Sequence, residues 1–354
     1  MSEKFLKNGS DYIQMLICEA VRNKSRTATV KGNWEIEKEV RIPDDFTLIL
    51  GDCHLKMVDG VFSNMFVNAN QNTPPGKTVG GVNRNIKILG QGKAVLDGGT
   101  YNGLSEFTTK DMGIPMWRNN VILFTNVDGF EISGIHVRNQ RWWALNFVFS
   151  RNGYIHDIDF LADDTGIDEN GNEYHGLTKN KYSEIKVKNA DGIDLRQGCH
   201  DIVIENITGF TEDDTIALTA LNGTTEKTFR VEGLPTDICN VTIRNVASSA
   251  LCSNVRLLNQ GEIKLHDILI ENVYDTSLNS PHMDRGAYCV RLGDGKYMYG
   301  DRPSTEDETY NITVRNIRSR ANFAIHLGSA IKNLVIENVE TFDGCNGTED
   351  MRCL

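Results

Sequence analysis

Two hydrophobic periods divide the chain unevenly. Near its start, in SDYIQMLICEAVRNK, Ile13, Leu16, Ile17, Ala20 and Val21 fall at i, i+3, i+4, i+7 and i+8, the apolar stripe of an amphipathic helix. Ser10 is placed to cap that helix, and Asp11 suits its first turn. Beyond it the period drops to two. Short apolar alternations separated by Gly, Asn and Asp predict strands and turns. The strands repeat: DIVIENI at 201–207 returns as NVTIRNV at 240–246, DILIENV at 267–273, NITVRNI at 311–317 and NLVIENV at 333–339, with a weaker copy, GFEISGI, at 129–135. One such unit cannot bury its own apolar face, so the units must stack. The shortest spacings, about 22 residues, fit one coil of three short strands with turns. The implied fold is all-β, a parallel β-helix whose coils hydrogen-bond to one another at ~4.8 Å. The recurring Asn of IENI, IRNV, IENV and VRNI predicts a ladder of stacked amides at one turn, a structural rather than catalytic feature. The N-terminal helix is placed to cap the first coil, residues 1–50 forming the cap and first strands. The polar TFDGCNGTEDMRCL is expected to cover the other end. No linker interrupts the pattern, so 1–354 reads as one solenoid domain.

A second repeated strand follows the first: GIDL at 192–195, TIAL at 215–218, NVRL at 254–257, CVRL at 289–292 and AIHL at 324–327. The apolar residues on either side should point into the coil, and the residue between them outward. Stacking then builds an exposed column of Asp194, Ala217, Arg256, Arg291 and His326, suited to a linear chain ligand. The same alignment sets Asp191 level with Asp214, one coil on, with Asp213 immediately before it. Strict alternation would send Asp191 and Asp214 inward; a turn ahead of each strand, permitted at Gly192, lets them out. Three carboxylates this close cannot all ionise cheaply, so at least one should hold a proton. Glycosidic cleavage needs such a set: an acid to protonate the leaving oxygen and a base to activate water. A single Asp would be read as a turn cap; three in register favour chemistry.

Composition narrows the partners. The formal charge is -11, which argues against nucleic acid and anionic membranes, both of which want clustered Lys and Arg. The N-terminus, MSEKFLKNGSDYIQMLICEA, has no apolar run of signal-peptide or membrane-span length. The chain as given is therefore expected in the cytoplasm, or outside the cell if a leader has been removed. Eight cysteines without CxxC pairs or zinc spacing read as buried thiols, with Cys345 and Cys353 able to pair in an exported protein. No cofactor or metal is called for.

The segment NADGIDLRQGCHDIVIENITGFTEDDTIAL, 189–218, resembles the Asn-x-Asp-Gly and Asp-Asp segments of the polygalacturonase family, glycoside hydrolase family 28, and RNQRWWALNFVFSRNGYIHDIDF, 138–160, is similar to the coil before them. The resemblance runs from roughly 85 to 340. It implies a right-handed parallel β-helix and hydrolysis with inversion, Asp213 serving as general acid and Asp191 and Asp214 positioning and activating the water. Two positions depart from the family. Ser253, in CSN, stands where its Gly-His-Gly has His, and Gly293, in RLG, where its Arg-Ile-Lys has Lys. Arg256 and Arg291 are candidates for a replacement carboxylate clamp, or are solvated surface arginines.

Trp142 and Trp143 are adjacent, so one of them can face the groove and stack on a sugar, or both pack. Tyr288 is a sugar contact of the same kind. His156, His200 and His266 each precede Asp at a coil turn and look structural. His175 and His282 lie in insertions from which they can reach the cleft. Insertions such as ADDTGIDENGNEYHGLTKN, TALNGTTEKTFRVEGLPTD and GDGKYMYGDRPSTEDET should wall the groove; the acidic one lacks the glycine placement of an EF-hand loop. Three functions remain open on the sequence: a glycoside hydrolase acting on a pectin-like or other plant-derived oligo- or polysaccharide, a lyase or epimerase on the same scaffold, and a carbohydrate-binding β-helix without turnover.

Overall fold

The computed structural model describes residues 4–58, 61–99, 118–140, 143–162, 166–167, 173–174, 191–277, 285–294 and 302–352. Its strands form two ten-stranded sheets, parallel throughout, that the chain visits in alternation. The first holds the longer strands, from Thr27–Ile36 through His200–Thr211 and Ile238–Ala250 to Lys332–Thr341. The second holds shorter ones, from Val40–Ile42 through Trp143–Val148, Asp191–Arg196, Ile216–Ala220, Ser253–Asn259 and Tyr288–Leu292 to Phe323–Leu327 and Asn346–Asp350. Each strand pairs with its counterpart one coil away, so the chain winds as a right-handed parallel β-helix. A short antiparallel pair, Gly166–Ile167 with Glu173–Tyr174, stands apart from both sheets.

The long strands bend where Asn or Asp takes left-handed backbone angles. In His200–Thr211 this happens at Asp201 (φ 55°) and Asn206 (φ 57°), leaving 202–205 and 207–211 as two faces of one coil. Asn and Asp tolerate this region better than other residues with a Cβ. Their amides also stack as the repeat predicts: Asn245 donates to Asn206 at 3.3 Å, Asn272 to Asn245 at 3.1 Å, Asn316 to Asn272 at 3.0 Å and Asn338 to Asn316 at 3.1 Å. A second ladder at the other corner, including Asn311 to Asp267 at 2.8 Å and Asn333 to Asn311 at 2.9 Å, was not foreseen. Inside the coil, fully buried Ile, Val and Leu stack in files such as Ile204, Ile243, Ile270 and Val314.

Helix α1 spans Gly9–Arg22 and lays Ile13, Ile17 and Ala20 on the first coil. Its N-cap is Asn8, whose side chain makes no capping bond. Ser10 instead is buried, donates to Lys38 O at 2.8 Å and accepts from the Glu37 and Lys38 amides. It ties the helix to the coil rather than capping it. The C-terminal segment does not lie over the far end; Asn346–Asp350 adds a further strand beside Phe323–Leu327. Leu334, Ile336 and Val339 on the last long strand are correspondingly only half-buried.

Candidate active site

The register brings the aspartates together. Ile193 stands opposite Ile216 and Leu195 opposite Leu218, and the pairing extends one step earlier: Gly192 donates to Asp214 O at 3.0 Å and Ile193 to Thr215 O at 2.9 Å. Asp191 and Asp214 therefore sit level on adjacent coils, and the Asp214 amide donates to Asp191 Oδ1 at 3.1 Å. Thr211 Oγ1, 3.2 Å from Asp213 O and 3.1 Å from Thr215 Oγ1, holds the turn that presents Asp213. One carboxylate oxygen from each of Asp191, Asp213 and Asp214 lies within 4.8 Å of the other two. Gly192 matters for a different reason from the expected turn. Its φ is not left-handed, but a Cβ there would stand 2.3 Å from Thr215 O. Only glycine lets the two coils approach.

The three differ in exposure. Asp191 and Asp214 are buried, and Asp213 is half-buried. Burial pushes the Asp191 carboxyl well above the usual carboxylate range, and the charges of Asp213, Asp194 and Asp214 add to this. Burial likewise raises Asp194 to about 8; Arg196 and Arg256 oppose the rise, while Asp214 and Asp213 reinforce it. The cluster thus retains protons at neutral pH. Cys252, absent from the sequence-based candidates, hydrogen-bonds the Asp213 side chain, and burial together with the Asp213 and Asp214 charges pushes its thiol up. The three clustered oxygens could also draw a cation, with water supplying the rest of the six to eight oxygens that calcium takes.

The outward column exists in the expected register, Asp194 to Ala217 to Arg256 to Arg291 to His326, yet it is not exposed. Asp194 is 1% exposed, Ala217 3%, Arg256 8% and His326 6%. Acidic side chains lie against it. Arg256 donates to Asp214 Oδ2 at 3.2 Å and to both oxygens of Asp294 at 3.1 Å. Arg291 pairs with the same Asp294. His326 Nδ1 meets Glu349 Oε2 at 2.7 Å. Arg196 lies between Asp194 (3.6 Å) and Glu226 (3.4 Å). The arginines expected to clamp a carboxylate are therefore already engaged by the chain's own carboxylates.

Trp143 is also corrected. It packs with Val67, Leu123 and Phe229, and the Arg196 guanidinium covers its ring at 3.6 Å from the centroid, so that face is not open to a sugar. Trp142, His175 and His282 lie outside the described residues. Tyr288 is half-buried, with Arg291 5.3 Å and the His326 ring 4.8 Å from its ring centre; burial, then Glu349, raises its phenol. It stands opposite Ser253, whose carbonyl accepts the Thr215 amide at 2.9 Å. Asp191, Asp214, Ser253 and Tyr288 thus form a second row across four coils. In that row Ser253 Oγ and Asp214 Oδ1 are buried with no hydrogen-bond partner among the described residues. Asp294 and Glu226 were missed because isolated acids in insertions carry no repeat signal; the adjacency of Asp294 to the departing RLG was the one available hint. Gly293 accounts for that departure. It has φ +76°, and a Cβ there would stand 2.0 Å from Ser329 Oγ, so no lysine fits this backbone. His156, His200 and His266 each bond the following Asp at 2.6 Å, in the structural role expected.

The sequence model of the family described as "Glycosyl hydrolases family 28" matches residues 37–232, more than half of the chain. No curated protein matches. Among solved structures, the fold is shared with a hyperthermoactive exopolygalacturonase from Thermotoga maritima (13% identity, TM-score 0.57, covering 96% of this chain and 84% of that one). An iota-carrageenase of family GH82 from A. fortis (13%, TM-score 0.61, 99% and 88%) and an endo-xylogalacturonan hydrolase from Aspergillus tubingensis (12%, TM-score 0.52, 94% and 91%) share it too.

Proposed function

The chain belongs to the glycosyl hydrolases of family 28, and from that premise we propose that it hydrolyses a glycosidic bond in a pectin-like or other plant-derived oligo- or polysaccharide, with inversion. The observation that carries the reading is the meeting of three carboxylate oxygens, from Asp191, Asp213 and Asp214, within 4.8 Å. Asp213, the most open of the three, gives its proton to the leaving glycosidic oxygen. Asp191 and Asp214 hold a water, and Asp214 takes its proton as the oxygen attacks the anomeric carbon. One water is consumed, and the acid and base regain their resting protonation through solvent. Arg256 orients Asp214, and Cys252 bears on Asp213.

Inverting pairs usually stand about 6.5–9.5 Å apart, with the water between them. A tighter group holds the water beside the acid instead, and inversion rests on the family resemblance. The test is incubation with a panel of pectic and neutral oligosaccharides. New reducing ends without ultraviolet absorbance, and a product anomer opposite to the substrate's by NMR, support the proposal. An absorbing, unsaturated product would establish a lyase. Asp213→Asn and Asp214→Asn should each lower turnover by ~10²–10⁴ with circular dichroism unchanged; wild-type rates in both would remove the assignment.

A further inference from the structure

The row that carries Asp191 runs back toward the first coils. Its register leads from Asp191 to Trp143, Asn120 and Asn64 on successive coils, and the Asn120 amide donates to Asn64 Oδ1 at 3.0 Å as the Asp214 amide does to Asp191. Three rungs of ~4.8 Å place Asn64 about 14 Å from the cluster. Beside Asn64 lies a cavity of about 540 Å³, within the size range of small-ligand sites. Part of its wall comes from the insertion 219–237, which reaches back over the earlier coils: Phe229 packs with Val67, Leu123 and Trp143, and Glu232 pairs with Thr78. The lining is polar and basic. Lys77 and Arg118 are exposed, and neither forms an ion pair among the described residues. Lys77 Nζ stands 5.7 Å from the Phe229 ring centre. The acid in the lining, Glu39, is paired with Arg41. Gln71 is 3% exposed, yet its side-chain amide makes no hydrogen bond among the described residues. A buried amide in that state calls for a polar partner in the cavity it lines. Phe62 and Ser63, both half-buried, add a ring and a hydroxyl.

We propose that this cavity is a remote binding site for an anionic sugar residue, whose carboxylate or sulfate ester meets Arg118 and Lys77 while a hydroxyl meets the Gln71 amide and the sugar ring lies against Phe62. A guanidinium fork pairs with two oxygens of either anion, and an amide both donates to hydroxyls and accepts from them. At about 14 Å from the aspartates the site cannot touch the bond being cut, so it supplies affinity for longer chains and no chemistry. The inference rests on the hydrolase reading for taking the ligand to be a glycan, but its test reads binding and not turnover.

Calorimetric titration of the Asp213→Asn protein, in which turnover is suppressed, uses three probes: a galacturonate hexamer, a sulfated galactan hexamer and inorganic sulfate. At least one charged hexamer should bind, more weakly as salt is added, and the one that binds names the anion. Lys77→Ala combined with Arg118→Ala, both at exposed positions, should weaken that binding at least tenfold and lessen its salt dependence. Gln71→Leu keeps the charge and the bulk, and should weaken binding at least threefold. Should that variant fail to fold, the charge variant decides alone. Binding of neither hexamer overturns the proposal. So does hexamer affinity unchanged in the charge variant, or inorganic sulfate bound as tightly as the sugar, the mark of an adventitious ion only. A loss in the charge variant with Gln71→Leu unaffected reduces the effect to surface charge and overturns the site as well. Hydrolysis of the hexamer by the wild type, with affinity unchanged in the charge variant, removes the site and leaves the hydrolase intact. The predicted binding losses without hydrolysis would sink only the hydrolase.

Discussion

Replacing Asp194 with asparagine isolates the electrostatic cost of the site. Asp194 is 1% exposed, its Oδ2 has no hydrogen-bond partner among the described residues, and its carboxyl is raised from 3.8 to about 8. The unfolded chain releases this proton near pH 4 and the folded chain only near pH 8. Between those values the native state binds more protons, so stability falls as pH rises and levels off above about 8. The interval between 3.8 and about 8 is 4.2; at ~1.36 kcal/mol per pH decade it sets a ceiling of about 6 kcal/mol. Asparagine keeps the shape and cannot ionise, and Arg196 keeps its contact with Glu226 at 3.4 Å. The variant should therefore match the wild type at pH 4 and exceed it at pH 9. With an unfolding entropy of about 2.1 cal/mol/K per residue, the ceiling corresponds to a rise of roughly 8 °C in a chain this long. Thermal unfolding followed by circular dichroism at pH 4, 6, 8 and 9 measures it, and the difference between the two proteins cancels other titrating groups. A variant less stable than the wild type at pH 9, or a difference that does not grow with pH, would refute the reasoning.

Gly293→Ala should lower stability by about 2–5 kcal/mol, combining the left-handed penalty with the clash against Ser329. Gly344→Ala, at φ +77° with open space around it, should show only the backbone share, about 1–2 kcal/mol; equal losses in urea unfolding would deny the steric part. Asn272→Ala, which breaks the ladder between Asn245 and Asn316 at φ 56°, should cost about 1–3 kcal/mol. Asn272→Gly should recover the backbone portion, and a glycine variant no better than the alanine one would place the whole effect in the amides.

The coil repeat was legible because every turn of the solenoid imposes the same burial on the same positions. Ile204, Ile243 and Ile270 announce the core by period, and Asn206, Asn245 and Asn272 announce the corner. The level placement of Asp191 and Asp214 followed from that register alone. What the sequence left unseen was set by groups that obey no period. Asp294 and Glu226 close over the column from insertions, so residues correctly placed as outward-facing prove buried or, for Arg291, half-buried; Glu349 continues the column by one coil, on a strand beyond the last aligned tetrad. The role of Gly192 was hidden for a related reason, since a close approach between coils depends on the neighbour's carbonyl and not on local turn propensity. Ser10 was misjudged because a hydroxyl ahead of a helix signals a cap only when its own backbone stays outside the helix, and here Asn8 occupies that place.

The bond from the Gly192 amide to the Asp214 carbonyl has an evolutionary corollary. It makes the backbone ladder a ruler for the reacting groups, with a graduation of ~4.8 Å that no exchange of side chains can redraw. A lineage built on such a ruler diversifies by choosing which rungs carry acids and by remodelling the spurs that overhang them, while the distance between rungs is inherited unchanged.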